Sequence, residues 1–146
     1  MESAKLSNEP PKWFTVTAIV LCIWNLLGVM AFIMGPTLND SALAALPEVQ
    51  QQMYLDTPLW AVIAFAIAVF AGTLGCVFLA LKKCIAKPLL IASLVSVLVQ
   101  MFHAYFISNS WQVFGPGGAI MPAMVIAIAI YLVILTNKAQ RSGWIS

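Results

Sequence analysis

Only twelve of the 146 residues are charged, seven Lys or Arg and five Asp or Glu, while 62% are hydrophobic and the mean hydropathy is +0.97. Soluble domains average about 25% charged residues, and a chain with 8% cannot cover the surface of a soluble globule. Disorder is excluded by the same figures, because it requires low hydrophobicity and high charge. An integral membrane protein forming one domain, residues 1–146, is what remains.

A bilayer core about 30 Å thick takes about 20 apolar residues per helix. Four stretches qualify: Trp13–Met34, Leu59–Leu81, Leu89–Ile107 and Ala119–Thr136. No stretch alternates with period 2, which argues against a β-barrel. The expected fold is therefore all-α, a membrane four-helix bundle. Lys5 and Lys12 before the first stretch, and Ala42-Leu43-Ala44 after it, resemble parts of a secretion signal. The apolar run exceeds the roughly 7–15 residues of such signals, so we read a retained helix.

All seven basic residues (Lys5, Lys12, Lys82, Lys83, Lys87, Lys138 and Arg141) fall in the N-terminal tail, the connection between spans two and three, and the C-terminal tail. The other two connections hold Asp40, Glu48 and Asp56 or no charge. The positive-inside rule then places both termini in the cytoplasm. The outer connection 35–58 is the one sizeable loop. Asn39, Asp40 and Ser41 can cap a short helix there, and Pro47-Glu48 can open another. Thr57-Pro58 and Lys87-Pro88 read as helix starts with Pro in the first helical position. Pro116-Gly117 suits a type II turn. Trp13, Trp60 and Trp111 sit near span ends, as interfacial aromatics do.

Small residues let helices approach closely in lipid. The second span offers Ala61, Ala64, Ala68, Ala71, Gly72 and Gly75, the fourth Ala119, Ala123 and Ala127, and the first Ala18, Cys22, Asn25 and Gly28. Cys22, Cys76 and Cys84 form no framework and read as small packing residues. In the third span Ser93, Ser96, Gln100 and His103 recur at helical spacing and make a polar stripe amid Leu, Val and Met. Such a stripe faces the protein interior, a wet cavity or another subunit. Asn25 lies at similar depth, and an Asn25–Gln100 hydrogen bond is expected. The candidate binding cluster is Asn25, Ser96, Gln100 and His103. Tyr54, Trp60, Asn109 and Gly117 are accessory loop candidates.

The spans contain no Asp or Glu, which argues against a proton-coupled exporter. There is no phosphate-binding loop, zinc-protease motif or nucleophile elbow, and no basic patch for nucleic acid. A lone histidine is a poor metal site. No catalytic residue, cofactor or metal is read from the sequence.

Several segments together carry a likeness: Pro11-Lys12-Trp13-Phe14 with Trp24-Asn25-Leu26-Leu27-Gly28-Val29-Met30; Thr57-Pro58-Leu59-Trp60 with Ala64-Phe65-Ala66-Ile67-Ala68-Val69-Phe70; Gln100-Met101-Phe102-His103; and Gly115-Pro116-Gly117-Gly118-Ala119-Ile120-Met121-Pro122. With these the chain resembles a small bacterial family of four-helix membrane proteins often labelled sugar transporters. Its layout also looks like the wider DoxX-like class. The resemblance implies a multi-pass protein of the bacterial inner membrane. Three functions stay open. One is passage of a small neutral polar solute, sugar-like, through a homodimer. The second is an accessory or structural subunit beside a partner membrane protein. The third is a membrane redox helper using His103, Tyr105 and Tyr54.

Overall fold

A computed structural model describes residues 9–145. Lys5, part of the topology argument, lies outside the described residues. Among those residues every regular element is helical: α1 Lys12–Met34, α2 Asp40–Ala44, α3 Glu48–Leu55, α4 Leu59–Ala80, α5 Ala86–Phe102 continuing as a π turn His103–Ile107, α6 Ser110–Phe114, a 3-10 turn Pro116–Ala119, and α7 Ile120–Arg141. Four of them (α1, α4, α5 with its π turn, and α7 with the preceding turn) are long and apolar enough to cross a bilayer.

The ends of these helices follow from local chemistry. Asn39 accepts hydrogen bonds on Oδ1 from the Ser41 and Ala42 amides, at 3.0 and 3.2 Å, and so caps α2 as expected. Pro58 is the cap residue of α4 rather than its first helical residue. Pro88 stands third in α5, which already begins at Ala86. Both positions suit a residue without N–H, because the first turn of a helix has no internal acceptor for its donors. The fourth span outruns its apolar stretch and continues to Arg141. Lys138 and Arg141 in that last turn complement the free carbonyls and the negative end of the helix dipole. The Pro116-Gly117 type II turn does not form. Gly115 and not Gly117 takes the positive φ, 69°, and the following residues wind into the 3-10 turn.

The chain runs up and down, so Lys12, Lys82, Lys83, Lys87, Lys138 and Arg141 gather at one end, and Asp40, Glu48 and Asp56 at the other. We call these the basic and acidic ends. At the basic end α4 stops in a Schellman motif: Lys82 takes φ 64°, its amide donates to Leu79, and the Lys83 amide donates to Phe78 at 2.8 Å. The stop of α7 repeats the arrangement with Gly143 at φ 72° and the Trp144 amide on Ala139 at 2.9 Å. Trp144 then folds back edge-on to Phe14 and Trp13, and the Lys138 ammonium lies 5.2 Å from the Trp13 ring centroid. Lys87 Nζ donates to Gln140 Oε1 at 3.1 Å, joining α5 to α7.

Packing is closest between α4 and α5, then between α1 and α4, and between α5 and α7, while the backbones of α1 and α7 approach each other little and the two helices meet at the basic end through side chains. The small face of the second span explains the first two contacts. Ala61, Ala64, Ala68, Gly72 and Gly75 are buried, and a Cβ on Gly75 would stand 2.7 Å from the Leu90 side chain. The first span turns Ala18, Asn25 and Gly28 toward α4, as expected. In the fourth span the expected row fails, because Ala123 and Ala127 face outward. The buried core lies toward the basic end: Phe14, Ala18, Cys76, Leu79, Ala86, Leu90, Leu132, Leu135, Ala139 and Ile145. The bundle is closed at the basic end and spread toward the acidic one.

Candidate functional site: a cavity in the acidic half

The spread leaves a cavity of about 880 Å³ between the four long helices. Leu90, Ser93 and Leu132 form its floor above the core. Gly28 and Ala31 of α1, Ala61 and Phe65 of α4, Val97 and Met101 of α5, and Val125 and Ala129 of α7 form its walls. Met53 and Tyr54 of α3, with Ser108 and Phe114, line it at the acidic end. The wall is mostly apolar, so each polar group in it matters.

Asn25, Ser93, Gln100 and His103 of the polar residues singled out in the spans line the cavity, and Ser96 does not. Ser96 thus leaves the candidate cluster. On the helical wheel Ser96 falls between Gln100 and His103, about 60° from Ser93, so angular position alone does not separate it from the three that line the cavity.

The polar groups divide into two levels. At the floor, Asn25, Gly72 and Ser93 meet from three helices. The Asn25 Nδ2 group donates to the Leu21 carbonyl at 2.8 Å and to Cys76 Sγ at 3.3 Å. Buried Ser93 donates from Oγ to the Ala68 carbonyl of α4 at 2.7 Å. A Cβ on Gly72 would fall on Asn25 Oδ1 and 2.9 Å from Ser93 Oγ. Glycine is therefore what lets these two side chains reach the α4 backbone. The expected Asn25–Gln100 bond is absent. Asn25 is level with Ser93, and Gln100 stands about two turns further on at 3.6 residues per turn. Depth counted from span ends misplaces α1 against α5 by that amount.

Near the acidic end, His103 is only 5% exposed and begins the π turn, where the Ser108 amide donates to the His103 carbonyl at 2.9 Å. Trp60 presents its ring edge-on at 5.1 Å. The Ser108 hydroxyl is 3.3 Å from Nε2 and 3.4 Å from Nδ1. One hydroxyl cannot serve both ring nitrogens with good geometry, so the imidazole retains hydrogen-bonding capacity. Gln100 makes none of the side-chain hydrogen bonds found among the described residues, yet no buried side-chain nitrogen or oxygen there lacks a partner. Its amide is therefore open to the cavity it lines.

Of the accessory candidates, Tyr54 lines the cavity and Trp60 touches His103, whereas Asn109 and Gly117 are exposed and do not line it. Burial pushes the Tyr54 phenol above its ordinary value of 10.0, because the charged form loses solvation. Tyr105 donates to the Gly118 carbonyl at 3.4 Å. Sequence reasoning missed Met53 and Gly72. The available sign of the first was the run Val49, Met53, Tyr54 and Leu55, which gives the outer loop an apolar side. The second was visible only as one small residue among several. No group of three His, Cys, Asp or Glu residues able to hold a metal occurs among the described residues.

No family model matches the chain, and no curated protein or solved structure shows a significant match to it.

Proposed function

We propose that this chain is a multi-pass membrane protein that binds a neutral, mainly apolar small molecule with one hydrogen-bonding head group. The observation that carries this reading is the cavity of about 880 Å³, apolar along most of its walls, with Gln100, His103 and Tyr54 among the polar groups left with capacity. Ligand sites have this character: a mostly apolar concavity with a few placed polar groups that fix orientation. Asn25 and Ser93 serve as glue between helices, and Gln100 and His103 hold the head group. The reading modifies passage of a sugar-like solute, which would need hydrogen bonds on most of its faces. The family resemblance implies the bacterial inner membrane, and the positive-inside rule then puts the basic end in the cytoplasm.

The test uses purified chain in nanodiscs. Equilibrium binding is measured for a medium-chain fatty alcohol and for an uncharged hexose, in the wild type, in Val125→Trp and in Ile130→Trp. Val125 lines the cavity, and Ile130 is 44% exposed on the same helix. The alcohol should bind the wild type and Ile130→Trp, and Val125→Trp should lose about tenfold in affinity, or roughly 1.4 kcal/mol. Binding of the hexose alone, or equal alcohol binding in all three chains, overturns the proposal.

The accessory-subunit reading has only the exposed apolar faces of the four long helices, which lipid covers equally well.

A further inference from the structure

The cavity is not the only concavity at the acidic end. A groove of about 860 Å³ lies outside it, between α3, the start of α4 and the π turn, with Glu48, Asp56 and Trp60 along it. Cavity and groove share Met53, His103 and Ser108 as lining residues. These side chains form one partition, one side toward the membrane interior and the other toward the polar surface.

The partition is built from movable parts. Met53 sits on α3, a helix of 8 residues with no buried residue, and its unbranched side chain has many rotamers. His103 is held by one aromatic edge and one long hydroxyl contact. The helix at this point is a π turn, which holds one residue more than an α turn. Moving the Ser108 amide from the His103 carbonyl to that of Ala104 would restore α geometry. That change rotates the two sides of the turn by about 100° relative to each other and exchanges one hydrogen bond for another. Asn109, at φ 51°, ends the segment and marks where the chain already turns sharply.

We propose that Met53, His103 and Ser108 form a closable gate, through which the cavity's ligand exchanges with the aqueous phase at the acidic end. This rests on the binding reading above and adds the route. The rival route is lateral, through the seam between α1 and α7, whose backbones approach each other little although both line the cavity.

The experiment places a thiol at Val125 and follows its modification in nanodiscs by peptide mass spectrometry. Two probes are used: a permanently charged methanethiosulfonate, which lipid excludes, and a neutral lipid-soluble maleimide. With the gate intact the charged probe should react slowly. Met53→Ala and His103→Ala should each raise its rate by about tenfold or more, while the neutral probe changes little. Met53→Ala stands alone as a test should His103→Ala fail to fold, since Met53 lies outside the four long helices. Rapid charged-probe reaction in the starting chain, or no acceleration in Met53→Ala, overturns the gate. In the second case, continued reaction with the neutral probe assigns the route to the seam. No ligand is present in this assay, so the gate can fail while alcohol binding stands, and the reverse.

Discussion

Gly72→Ala places one methyl group where the floor of the cavity is tightest. The added Cβ meets Asn25 Oδ1 and stands 2.9 Å from Ser93 Oγ, and neither side chain is free to withdraw. Asn25 is tied to Leu21 and Cys76, and Ser93 to Ala68. Overpacking by a methylene typically costs about 1–3 kcal/mol, displaced interhelical bonds about 0.6 each, and the better helix propensity of Ala returns up to about 1. The net expectation is destabilisation of about 1–2 kcal/mol. Gly28→Ala is the matched control, because its Cβ would rest at an ordinary 3.4 Å from Val69 Cγ1. That change should be neutral or stabilising by up to about 1 kcal/mol. Reversible unfolding in mixed micelles by denaturing detergent measures both. Equal effects of the two substitutions would refute the three-helix junction at Gly72. Adding Ser93→Ala should relieve part of the Gly72→Ala cost, so the double-mutant cycle should show coupling.

Lys82→Gly should stabilise the chain by about 1 kcal/mol in the same assay, because a side chain at φ 64° is strained and glycine is not; destabilisation would argue against the Schellman end of α4. Asn39→Ala should remove amide-exchange protection from α2 by about 1 kcal/mol while leaving the long helices unchanged; unaltered exchange at Ser41 and Ala42 would discount the cap. The raised Tyr54 phenol favours the folded state fully below pH 10.0, and that contribution is lost as pH rises through the folded value. Stability of the wild type should therefore fall more steeply above pH 10 than that of Tyr54→Phe, and parallel pH profiles would rule out a buried phenol.

Hydropathy alone located the long helices well, because a bilayer-length apolar run has few other uses. The α1 and α4 bounds differ from the expected spans by a residue, at Lys12 and Ala80. Where the chain leaves lipid the signal fades. Four of residues 137–141 are polar, yet the segment remains helical because Ala139 is buried and Lys138 has two tryptophan rings to lie against. The polar stripe announced that one face of the third span turns inward, but it could not say which member faces elsewhere. Ser96 lies within the same arc of the wheel as Gln100 and His103, so its absence from the cavity lining is set by how the neighbouring helices pack and not by its spacing. The Asn25–Gln100 pairing failed because axial offset between helices is set by packing at Gly72 and Gly75, which no within-helix periodicity encodes. The cavity itself is a property of how far α1 and α7 diverge, and nothing in either segment alone specifies that.

The folded-back Trp144 and the Lys138–Trp13 contact moor the start of α1 and the residues after α7 to the closed part of the bundle. A fluorophore or spin label attached beside Trp13 or Trp144 therefore reports from the stationary end of a wedge. It would register little of a change in spacing among Ala31, Phe65, Met101 and Val125. Sensors meant to follow occupancy belong at the opposite end, on α2 or on an outward position of α3 such as Val49, which is 66% exposed.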